Sequence, residues 1–150
     1  MLNGRNIEQM SVHGIGDSLE TYEGTRAIKP SLTLGGLEKI NSPHIDLVIW
    51  SRTLPSHFQN WLEGLPASNL PQIRLLAAPS DLRSALEPML DACGLPISDM
   101  RDFLVDDISA LVQKFSTITE SELVDVRLEY INHDSCWRFH TDVVDLRLLT

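Results

Sequence analysis

The chain has 150 residues, 43% of them hydrophobic, which is long enough to bury one core and sets a single domain as the default. Twenty-one acidic against twelve basic residues give a formal charge of −9, a field that repels phosphate backbones and anionic lipid and so disfavours nucleic acid and membrane surfaces as partners. Cys93 and Cys136, the only cysteines, stand far apart and offer neither a disulfide framework nor a paired CxxC knuckle; with no apolar run near the roughly 20 residues that span a bilayer, a cytoplasmic location is expected.

Residues 1–42 are rich in Gly, Asn, Ser and Thr without sustained periodicity and read as a loosely ordered arm with at most one short strand. Gly14-Ile15-Gly16 lacks the third glycine and the preceding strand of a phosphate-binding loop, so it is read as plain loop. Residues 43–150 read as one α+β domain.

Within it, residues 45–50 form a nearly continuous apolar run, expected to be a strand covered on both faces. Phe58, Trp61, Leu62 and Leu65 recur at helical spacing, and Gly64 and Pro66 stop that helix. Residues 72–77 read as a second strand. Ser80 can cap a following helix that carries Leu82, Leu86, Met89 and Leu90 on one face and ends at Gly94-Leu95-Pro96. Pro88 inside it costs a hydrogen bond and about 3 kcal/mol, so a kink or break is expected there. Ser98 can cap a longer helix with Phe103, Leu104, Ile108, Leu111, Val112 and Phe115 in its apolar stripe. From Leu123 the period changes to two, with Val124, Val126, Leu128 and Tyr130 opposite Asp125, Arg127 and Glu129, the pattern of a half-exposed strand. The order is strand and helix units, then a helical middle, then consecutive antiparallel strands.

Chemistry concentrates near the end of the chain. If residues 136–143 are extended, Trp137, Phe139, Thr141 and Val143 share one face, and Cys136, Arg138, His140 and Asp142 share the other. His140 and Asp142 then have Cα atoms about 6.6 Å apart, close enough to converge on one ion. Such a His-x-Asp pair is half of the two-His-one-carboxylate triad of non-haem Fe(II) oxygenases. The third ligand is open: His133, His57, His44 and His13 are candidates, none with a diagnostic spacing. Cys136 with His140, and with His133 or Asp142, is alternatively a zinc set. Cys136 and His140 lie about 13 Å apart along a strand, too far to act as a nucleophile pair. The plain alternatives are a solvated polar face, a packed core thiol, and an Arg138 ion pair with Asp142 or Glu129. Trp50 and Trp61 are expected to fill core. Asp106 and Asp107, adjacent on a helix, point in different directions and are read as a solvated face.

The run Asp134-Ser135-Cys136-Trp137-Arg138-Phe139-His140-Thr141-Asp142, followed by Leu146-Arg147-Leu148-Leu149-Thr150, resembles the signature of an uncharacterised bacterial family catalogued as domain of unknown function 1826. Ile49-Trp50-Ser51-Arg52 and the helical middle resemble it too. In that family the motif continues into an aromatic residue and a Gly-Pro-Gly-Thr turn absent here, so the resemblance implies a chain truncated at its C-terminus. The apolar stretch 143–149, read as a strand with no partner after it, suggests the same, and also a homodimer formed through that exposed C-terminal strand.

By motif analogy, the order of strand, His-x-Asp and Arg-x-x-Thr is similar to the metal-binding half of prolyl-hydroxylase-type dioxygenases that use Fe(II) and 2-oxoglutarate. That analogy implies an incomplete double-stranded β-helix, iron ligands at His140 and Asp142, and substrate contacts from Arg138 or Arg147. It also implies that the present chain is inactive. A zinc module using Cys136 and His140, and a metal-free structural or interaction protein, are the competing expectations.

Overall fold

A computed structural model of the chain describes residues 27–130 and 146–149. In chain order the elements are β1 (Ala27–Ser31), a 3-10 helix (Leu34–Asn41), β2 (Ile45–Trp50), α1 (Ser56–Glu63), a short 3-10 turn (Ala67–Asn69), β3 (Ile73–Ala77), α2 (Leu82–Ala92), α3 (Asp99–Thr119) and β4 (Val124–Leu128). The fold is mixed α+β. The described strands form two separate ribbons, β1 with β2 in parallel and β3 with β4 antiparallel, and they close no barrel.

Parallel neighbours need a crossover, and the 3-10 helix supplies it. Thr33 Oγ1 accepts from the Gly36 amide at 3.2 Å, while Ser31 Oγ donates to the Thr33 carbonyl at 2.8 Å. The crossover passes so close over β1 that a Cβ on Gly36 would stand 1.9 Å from Ser31 Oγ and 2.9 Å from Ser31 Cβ. Residues 27–42, which lack periodicity in the sequence, therefore carry a strand and a helical crossover.

Residues 45–50 form the expected strand, but not the expected environment. Leu47 and Ile49 are 46% and 48% exposed, and their register partners Ile28 and Pro30 are exposed beside them. The reason is that β2 has only β1 as a described neighbour, so one face of this ribbon has no layer over it among the described residues.

The core lies between β3–β4 and the two long helices. Leu82, Leu86 and Leu90 recur every four residues, form one ridge of α2 and are fully buried; each contributes about 1.5–3 kcal/mol by leaving water. Val105, Ile108 and Val112 of α3 meet them, with Ile73, Ala77, Val124 and Val126 from the sheet. The two-residue period read for β4 holds through Leu128, with Val124 and Val126 inward and Asp125 and Arg127 outward, but Tyr130, read onto the inner face, lies past the end of the strand and is 47% exposed.

Asp81, not Ser80, occupies the N-cap position of α2, and no side chain caps it. The helix then runs through Pro88 without a break. The carbonyl that Pro88 cannot serve is that of Ser84, and both residues are exposed, so water can take the missing bond while the leucine ridge stays intact. At its end Gly94 adopts φ 73°, its amide donates to Asp91 at 2.9 Å, and the Leu95 amide donates back to Leu90 at 3.1 Å. This is a Schellman closure, with the buried Leu95 supplying its apolar contact. Ser98 caps α3 as expected, its Oγ accepting from the Arg101 amide at 3.2 Å.

Residues 146–149 carry no regular secondary structure, so this part of the terminal stretch is not the strand that its apolar sequence suggests. No described helix is long and apolar enough to cross a membrane.

Candidate functional site

A bidentate ion pair sits where β2 runs out. Arg52, two residues past the end of β2, extends its guanidinium to α3 and donates through Nη1 and Nη2 to the two carboxylate oxygens of Asp107, at 2.5 and 2.9 Å. Both side chains are only 22% exposed. The guanidinium carbon also lies 5.3 Å from the centre of the Trp50 ring, which places the cation over an aromatic face. A planar fork matched to a carboxylate is a geometry that lysine cannot supply. With its two terminal nitrogens committed to Asp107, Arg52 is a brace between the end of β2 and α3, and its cation lies over the Trp50 ring.

Asp106 and Asp107 diverge as expected from adjacent helix positions, but each finds an arginine: Asp106 pairs with Arg83 of α2. Their separate pairings leave no paired-carboxylate site. Next to the brace, Phe58 of α1 is buried against Phe103 of α3, ring centres 4.7 Å apart, and is stacked with Trp61 at 5.7 Å. Trp61 thus packs along the core, as expected.

A second cation is buried. Arg101, only 6% exposed, sits in the first turn of α3 and reaches back to the end of α2. It donates to the Leu95 carbonyl at 3.1 Å, the Glu87 carbonyl at 3.0 Å and the Asp91 carboxylate at 2.6 Å. It satisfies carbonyls near the negative end of α2 and joins the two helices.

On the outer face of the β3–β4 ribbon, Arg74 donates to both carboxylate oxygens of Asp125, at 3.3 and 3.0 Å. These hydrogen bonds, helped by the opposite charge, hold the Asp125 carboxyl below its ordinary pKa and raise that of Arg74.

The residues selected from the sequence for chemistry fall elsewhere. Cys136, His133, Arg138, His140 and Asp142 lie outside the described residues. Arg147 is described, is exposed, and has an interaction of its own. His44 and His57 are both exposed, the first in the turn before β2 with φ 65°, the second on α1. Cys93 is half-buried and its Sγ donates to the Leu90 carbonyl at 3.2 Å. Among the described residues no group of three or more His, Cys, Asp and Glu side chains is placed to hold a metal ion. The sequence carries no periodic signal for the Arg52 and Arg101 contacts, whose partners Asp107 and Glu87 stand 55 and 14 positions away.

The model of the family described as a protein of unknown function (DUF1826) matches residues 31–150. The chain belongs to this family. Its DUF1826 segment starts at the end of β1 and takes in the crossover, the Trp50–Arg52–Asp107 brace, the helical core and the His-x-Asp stretch. No curated protein and no solved structure matches this DUF1826 chain.

Proposed function

We propose that the chain is a metal-binding domain of the oxygenase type, with His140 and Asp142 as two ligands of Fe(II) and 2-oxoglutarate as cosubstrate. One observation carries the reading: an imidazole and a carboxylate two positions apart lie within the family match, while the described body contains no rival cluster of metal-ligating side chains. The donor set suits a borderline metal, because a neutral imidazole and a carboxylate together favour iron over the hard cations that choose oxygen alone. Bound there, the metal would supply Lewis acidity and redox chemistry. Arg138 or Arg147, always charged, would hold a substrate carboxylate. The −9 charge makes a nucleic-acid substrate unfavourable.

A second reading is favoured by Cys136, four residues before His140: a thiolate and an imidazole, with His133 or Asp142, are a donor set that selects zinc. Elemental analysis of the purified chain separates the readings when run beside His140→Ala/Asp142→Ala and Cys136→Ser variants whose circular dichroism matches the parent. Near-stoichiometric iron that the double variant loses and Cys136→Ser keeps supports the oxygenase reading. Zinc that both variants lose replaces it with the zinc module. Absence of metal from the parent as well, after reconstitution with either ion, overturns both and leaves a structural or interaction protein.

A further inference from the structure

We draw no further inference here: the strongest candidate, the apolar face of the β1–β2 ribbon carrying Ile28, Pro30, Leu47 and Ile49, is open among the described residues, and nothing in the structure shows what covers it.

Discussion

Replacing Arg101 with Ala removes a guanidinium that serves two main-chain carbonyls and one carboxylate in a site only 6% exposed. Hydrogen bonds from a charged donor are worth about 1.5–3 kcal/mol each, and an acceptor left buried without a partner loses its solvation as well. The Asp91 contact adds little, because that carboxylate is 61% exposed and water competes for it; such pairs contribute about 0–1 kcal/mol. Arg101→Ala should therefore cost about 3–5 kcal/mol, a large part of the roughly 5–15 kcal/mol that holds a domain together. Asp91→Asn should cost less than about 1 kcal/mol. Arg101→Lys, which keeps the charge but loses the planar fork, should fall between them.

Urea unfolding followed by circular dichroism measures all three. With a slope of roughly 1–3 kcal/mol per molar, the alanine variant's midpoint should fall by about 2 M at an unchanged slope. If Arg101→Ala unfolds within about 1 kcal/mol of the parent, the Glu87 and Leu95 carbonyls do not depend on this side chain and the reasoning fails. Should the alanine variant not fold, the ordering of Arg101→Lys below Asp91→Asn remains decisive.

A double-mutant cycle on Arg52→Ala and Asp107→Ala should return a coupling of about 1–2 kcal/mol, since both partners are half-buried and bidentate; a value under about 0.5 kcal/mol would class the brace with ordinary surface pairs. Gly36→Ala places a Cβ against Ser31 Cβ, which has no flexible end to move aside, and should cost about 1–3 kcal/mol. Differential scanning calorimetry should show Tm falling by roughly 5–10 °C, and an unchanged Tm would mean that the crossover does not pack this closely. The lowered pKa of Asp125 stabilises the fold fully above the ordinary aspartate value of 3.8, and the gain is lost as pH falls through the folded value. Parent and Asp125→Asn unfolding midpoints should therefore converge below pH 3.8, and a gap as wide there as at neutral pH would contradict the assignment.

Where one physical signal dominated, the elements could be read from the residues. The leucines of α2, the stripe of α3 and the alternation of β4 each follow a single period because each buries one face, and Gly94 announced its turn because few other residues adopt that φ. β1 could not be read this way: Ala-Ile-Lys-Pro-Ser has neither period, and its strand conformation comes from pairing with β2 rather than from its own preference. The exposure of Leu47 and Ile49 was hidden for a related reason, since an apolar run reports what a strand could bury and not whether a layer lies over it. For the proposed metal site, sequence spacing supplies only the pair of His140 and Asp142, and a third ligand is a matter of tertiary approach. The ties that did prove tertiary, Arg52 to Asp107 and Arg101 to the end of α2, are those with no sequence period at all.

Among the described residues, three side-chain ties from the β1–β2 half to the remainder end on one helix. Arg52 reaches Asp107, Glu38 accepts from Lys114, and the Asn41 amide donates to the Ile118 carbonyl at 2.9 Å. The opposite side of that helix packs with α2 and β4. α3 is thus the common spine of two ribbons that share no strand pairing, and it is grasped at its middle and toward its C-terminal end. A rotation of α3 about its own axis would be felt by both ribbons at once, and through these ties a change in either ribbon is passed to the other by way of the helix.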